Sequence, residues 1–178
     1  MREDIKILFE DNHILVVSKP PFMPVQADVS GDEDLLSALK RYLVEKYNKP
    51  GDAYLGLVHR LDRPTGGVMV FARNSKSAKR LCDQIQSGEF EKTYFAIVKG
   101  KPIHLKDHLV NYIKKDLKLN KASIVTMSEK DAKKAVLDYE MLQSTGEFSL
   151  LKISLETGRS HQIRLQLDDC VQIGRAHV

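Results

Sequence analysis

The chain has 178 residues, 42% of them hydrophobic and 29% charged, with a formal net charge of +4. That length suits one domain able to bury roughly two-thirds of its unfolded surface, and the composition is too apolar for a disordered segment. Two distant cysteines, Cys82 and Cys170, without a CxxC pair exclude a disulfide framework and a cysteine zinc site; no apolar run approaches the roughly 18 residues of a membrane span. The opening "MREDIKILFEDNH" also lacks the apolar stretch of a signal peptide, so the expected compartment is the cytoplasm. The charge is uneven: between Lys92 and Lys134 eleven lysines stand against four acidic residues. A solvated face explains that excess, and so does a polyanionic partner, most simply nucleic acid.

The first residues, "IKILFEDNHILVVSKP", read as two short strands around an Asp11-Asn12 turn, ended by Pro20-Pro21. "DLLSALKRYLVEKY" places Leu35, Leu36, Leu39, Leu43 and Tyr47 on one helical face, with Asp32 or Asp34 available as the cap. "YLGLVHRLD" and "GGVMVFAR" read as strand-like arms around "RPTG". Next, "NSKSAKRLCDQIQSG" is a helix opened by Asn74 or Ser75 and closed by Gly88, with Ala78, Leu81, Cys82 and Ile85 inward. "KTYFAIVKG" is β-branched and aromatic, hence a strand. After the lysine-rich segment, "AVLDYEMLQSTGEFSLLKISLE" reads as a hairpin across Ser144-Thr145-Gly146, with Leu151, Ile153 and Leu155 inward, and "TGRSHQIRLQL" as a turn into a helix. This order predicts an α+β domain built on a mixed, mainly antiparallel sheet flanked by helices and loops.

Two polar constellations interrupt this scaffold. In "LVHRLDRPTGGVMVFAR", Asp62 lies between Arg60 and Arg63 on a tight loop ahead of Gly66-Gly67, where an ionised carboxylate serves as acceptor, base or nucleophile. The flanking arginines are expected to hold it ionised; an exposed loop salt bridge is the plain alternative. The second, "ETGRSHQIRLQL", gathers Arg159, Ser160, His161, Gln162 and Arg164. Neither GxxxxGK[ST] nor GxGxxG is present, which removes the common phosphate cradles. His59 and His161 lack a second ligand at metal spacing and read as hydrogen-bonded structural histidines; no metal site is expected.

At these residues the chain resembles the RluA-type pseudouridine synthases. Four blocks carry the resemblance in the family's order: "ILFEDNHILVVSKPPFMPV", "GLVHRLDRPTGGVMVFAR", "EKTYFAIVKG" and "LETGRSHQIRLQL", together spanning about Ile5 to Leu167. The resemblance implies isomerisation of uridine to pseudouridine in ribosomal or transfer RNA, with no cofactor or metal, by a soluble monomer. It makes Asp62 the essential aspartate, Tyr94 the tyrosine that stacks on the flipped base and handles a proton, and Arg164 the arginine paired with the aspartate. Arg60 matches the arginine that helps extrude the base, and Lys19, Arg63, His161 and Gln162 are expected to contact substrate. A noncatalytic RNA-binding protein with this fold, or an inactive truncated fragment, are the alternatives.

Two departures from the family pattern stand out. Residue 5 already lies inside the first block, where many members begin with a small basic RNA-binding domain, so target recognition is expected to come from the catalytic domain itself. Past "QIRLQL" the chain ends "DDCVQIGRAHV" instead of continuing with the family's His-Gly-Pro segment. The string ATCGGAAGAGCACACGTCTGA, a common sequencing adapter, encodes "IGRAHV" and a stop. Residues 1–167 are therefore expected to be a catalytic domain incomplete at its C-terminus, and 168–178 a non-native tail.

Overall fold

A computed structural model describes residues 4–170 except 117, 118 and 120; the end read as a non-native tail lies outside the described residues from 171 onward. The chain divides after Phe90 into two compact units.

The first unit is a four-stranded sheet ordered β1-β2-β4-β3, built from β1 (Lys6–Glu10), β2 (Ile14–Lys19), β3 (Gly56–Leu57) and β4 (Gly67–Ala72). Every pairing is antiparallel, and a bulge separates Ile7 from Phe9 in β1. Period-2 alternation in β2 and β4 turns Leu15, Val17, Met69 and Phe71 to one face, where they are buried with Leu35, Leu39 and Leu43 of helix α1 (Leu35–Lys46). Asp34, not Asp32, caps α1, its carboxylate accepting from Ser37 N at 3.0 Å. Helix α2 (Ser75–Ser87) opens on Asn74, whose side chain accepts from Ser77 N, and closes on Gly88 at φ 80°. Its expected apolar face is right, although Ala78, Leu81, Cys82 and Ile85 are half-buried and only Ser77 is fully so.

The second unit is a five-stranded sheet ordered β5-β9-β8-β6-β7: β5 (Thr93–Lys99), β6 (Lys106–Asp116), β7 (Lys121–Val125), β8 (Lys133–Ser144) and β9 (Phe148–Leu155). Its ladders are again all antiparallel, so the described sheets contain no parallel pair. The hairpin across Ser144-Thr145-Gly146 forms as expected, with Gly146 at φ 89°. Helix α3 (Gln162–Cys170) buries Ile163 and Leu167 against Ala96, Val98, Leu137, Leu151 and Ile153. The lysine-rich segment, left unassigned by the sequence reading, supplies β6 and β7. Leu109 and Ile113 alternate inward in β6 beneath a surface rich in lysine.

A polar knot ties β1 to α1, to its cap Tyr47 and to Arg73 just past β4. One oxygen of Glu10 accepts from Tyr42 Oη at 2.9 Å and Lys46 Nζ at 2.8 Å; the other accepts from Tyr47 Oη at 2.6 Å and Arg73 at 3.1 Å. Lys46 lies over both tyrosine rings and Arg73 over that of Tyr47, adding cation–π attraction. Burial opposes ionisation of Glu10, but hydrogen bonds from Lys46, Tyr47 and Tyr42 outweigh it and bring its pKa from 4.5 to about 2. A carboxylate depressed on folding stabilises the native state above its unfolded pKa and loses that contribution as pH falls toward 2. Glu10→Gln is expected to cost on the order of 3 kcal/mol at pH 7, the gap closing between about pH 4.5 and 2; urea unfolding of both proteins at several pH values checks this.

Candidate active site

The loop between β3 and β4 carries Arg60, Asp62 and Arg63, and several independent contacts fix its path. Asp62 O accepts from Thr65 N at 3.0 Å, which closes a turn over residues 62–65 around Pro64. Gly67 follows at φ 148°, a backbone setting L side chains rarely adopt. A Cβ on Gly66 would sit 3.3 Å from Pro21 Cδ and 3.4 Å from the Lys19 carbonyl oxygen. The paired glycines therefore let the loop lie directly against the chain leaving β2.

Beneath the loop lies Lys19, only 1% exposed. Its ammonium donates to the carbonyls of Met23 at 2.7 Å, Pro20 at 3.0 Å and Arg63 at 3.1 Å. Burial lowers its pKa from 10.5 to about 8, and the negative charge of Asp62 works against that fall. Lys19, expected to touch substrate, is thus an interior cation whose three donors hold backbone of the chain after β2 and of the loop.

Arg63 was expected to steady the charge of Asp62. Its guanidinium instead turns to the segment before α1, bonding Ser30 Oγ at 3.0 Å, pairing with Asp32 and lying 3.6 Å from Asp28. The field of the Asp62 carboxylate reaches Lys19 below it. Asp62 and Arg60 are both exposed on the loop surface. His59 conforms to its structural reading, its Nε2 accepting from Val70 N at 3.1 Å.

The other expected residues belong to the second unit. Tyr94 of β5 is half-buried, lies opposite Ile153 of β9 and packs on the second unit's apolar cluster. Arg164 of α3 is exposed, and His161, at φ 54°, is exposed in the turn before it. Gln162 differs from its expected role as a substrate contact. It is 2% exposed, its Oε1 accepts from Thr157 Oγ1 at 2.8 Å and Arg159 N at 3.0 Å, and its Nε2 donates to Val136 O at 3.1 Å and Gln166 Oε1 at 2.9 Å. All four bonding positions of the amide are filled inside the unit.

Sequence reasoning passed over Gln166, which is fully buried. Its Nε2 reaches Asn111 Oδ1 at 2.8 Å and Leu109 O at 3.1 Å, continuing the amide chain from the 157–162 turn through α3 to β6. The signal available was its i, i+4 spacing from Gln162 on one helix face.

Residues 13–169 match the family described as RNA pseudouridylate synthase. The chain belongs to that family. It is 33% identical over 165 residues to ribosomal large subunit pseudouridine synthase D of Zymomonas mobilis, covering 92% of this chain and 51% of that protein. It is also 33% identical over 172 residues to tRNA pseudouridine synthase C of Haemophilus ducreyi, covering 90% of this chain and 68% of that one. The structure of human RNA Pseudouridylate Synthase Domain Containing 4 superimposes with a TM-score of 0.76 at 27% identity, covering 93% of this chain and 65% of that chain. The chain spans about half the length of the first curated relatives it matches.

The buried cation gives a measurable pH signature. A lysine whose pKa falls from 10.5 to about 8 on folding leaves the unfolded chain holding more protons between those values, so stability rises with pH there. The gain is on the order of 3 kcal/mol across the window. Lys19→Met is expected to abolish that rise, measured as urea-unfolding free energy from pH 7 to 10.5, and Asp62→Asn to lower the Lys19 pKa further, read by NMR titration.

Proposed function

We propose that this chain isomerises uridine to pseudouridine within RNA, with Asp62 as its catalytic carboxylate. The observation that carries the reading is the family match over residues 13–169, which includes the loop bearing Asp62. Names of relatives that specify ribosomal and transfer RNA support structured RNA of those classes as the substrate.

The reaction breaks the bond from ribose C1′ to uracil N1 and forms one from C1′ to C5. N1 gains a proton and C5 loses one, so product and substrate are isomers and the balance demands neither oxidant nor reductant. A carboxylate attacking C1′ or removing the C2′ proton must be ionised, and an exposed aspartate on a fixed loop meets that need. The target base has to leave its stack, at a cost of a few kcal/mol, before any of this occurs. In this reading Tyr94 stacks on the extruded uracil and transfers the C5 proton, a task that suits a flat ring with one titratable hydroxyl. Arg164 carries over as the arginine that the family sets against its aspartate, Arg60 as the one that helps displace the base, and Arg63 and His161 as groups that contact the strand.

Lysines of the second unit supply phosphate contacts. Lys99, Lys115, Lys121, Lys133 and Lys134 are exposed on its strands, whereas Lys106 and Lys114 are engaged by Glu140 and Glu129. Such contacts position RNA without reading its sequence. No helix among the described residues is long and apolar enough to cross a membrane. A cytoplasmic monomer belongs to the same proposal.

Tritium release from RNA labelled at uridine C5 tests the activity. Asp62→Ala is expected to lower release at least roughly a thousandfold while RNA affinity stays within a few-fold; release at the wild-type rate would refute the assignment. RNA affinity is also expected to fall steeply with salt, and the combined Lys133→Ala, Lys134→Ala protein to show a shallower slope of log affinity against log salt concentration.

A further inference from the structure

The ladder between β3 and β4 is two pairs long, Gly56 with Ala72 and Leu57 with Phe71. Next along β4 comes Val70, and its N–H is received by a side chain, the Nε2 of His59, at 3.1 Å. The imidazole takes up the sheet's last hydrogen bond just where the backbone of β3 departs. A ring nitrogen that accepts carries no proton, so this contact requires the imidazole tautomer with its hydrogen on Nδ1. The ring also rests against Phe90, centroids 5.6 Å apart and planes tilted by 48°. It is half-buried.

Asp62 follows three residues later, and the stretch between is short. At most about 3.6 Å of reach per residue leaves little slack, so a shift at His59 passes to the carboxylate. Lys19 holds the far side of the turn through Arg63 O. His59 and Lys19 thus pin the loop on either side of Asp62, one by a neutral acceptor and the other by a cation.

We propose that His59 is a positioning residue for the reaction, its neutral imidazole capping β4 at Val70 and so fixing where the loop bearing Asp62 leaves the sheet. The proposal rests on the reading of Asp62 as the catalytic carboxylate. Protonation of Nε2 would set two N–H donors against each other and release the cap. Of the groups around the ring, β4 offers no titratable side chain from Gly67 to Ala72. Glu89 adjoins Phe90, and Arg60, Asp62 and Arg63 follow on the loop itself.

The test compares His59→Leu, which fills the space without an acceptor, with His59→Gln, whose Oε1 replaces Nε2. Leucine is expected to lower kcat about 10- to 100-fold with KM for RNA within about twofold, the cost of a misplaced catalytic group. Glutamine, which cannot be protonated in this range, is expected to recover most of the rate and to keep more of it than the wild type as pH is lowered. A leucine variant at the wild-type kcat, or a glutamine variant as slow as leucine, would overturn the proposal. Nitrogen NMR of the wild-type chain should find Nε2 without a proton at neutral pH. Amide exchange over residues 60–66 should quicken in the leucine variant. An Nε2–H tautomer, or unchanged exchange, overturns the proposal independently of turnover. Wild-type protein that releases no tritium would sink the activity reading instead, leaving the NMR and exchange results to decide the contact.

Discussion

The candidate loop depends on one buried cation. An ammonium taken out of water is costly unless each N–H finds an acceptor, and Lys19 satisfies all three with carbonyls of Pro20, Met23 and Arg63. Those carbonyls belong to two segments that are distant in sequence, so satisfying the charge forces them together. The close approach at Gly66 goes with that apposition, since a Cβ there would crowd Pro21 and the Lys19 carbonyl, while Gly67 supplies a backbone setting that L side chains rarely adopt. Asp62 then sits where its negative charge meets the buried positive one. Structure and electrostatics of the loop are a single arrangement.

The two units are held by different chemistry. In the first, two enclosed ions join distant segments, Lys19 under the loop and Glu10 gripped by Lys46, Arg73 and two tyrosines, beside the neutral cap of Ser77 and Asn74. In the second, a neutral chain runs from Thr157 through Gln162 and Gln166 to Asn111, and the buried Ser149 hydroxyl donates to Gly100 O. Apolar burial supplies the bulk of stabilisation in both. The polar groups decide which arrangement of the apolar faces survives, because a shifted strand or helix would leave them unpartnered.

Much of this was legible in the sequence wherever the cause was local. Gly88 as a stop and the turn over residues 144–146 depend on neighbours a few positions away and form as expected, while the caps Asp34 and Asn74 were each one of two adjacent candidates. The alternation Leu151, Ile153, Leu155 likewise needs only its own strand. β6 and β7 escaped because lysines between the inward residues blur the period-2 pattern. Side-chain roles escaped for a different reason. Lys19 and Gln162 look like solvent or ligand groups by type, yet their partners Arg63 and Val136 lie 44 and 26 residues away. Arg63 looked like a partner for the adjacent aspartate, while the acids it selects, Asp28 and Asp32, precede it by more than thirty positions. The family match covers 13–169, so the family was readable from the motif blocks even where individual side-chain roles were not.

The neutral amide chain under α3 has a bearing on how a protein of this kind tolerates a polyanion. Phosphates compete for exposed guanidinium or ammonium groups engaged in surface pairing, so surface ion pairs are the weaker fastening for a chain proposed to bind nucleic acid. Gln162 and Gln166 offer nothing for a phosphate to strip away, being already saturated and enclosed. The helix that displays Arg164 is thereby anchored by bonds indifferent to ionic strength, and its exposed arginine is left as the component that responds to charge.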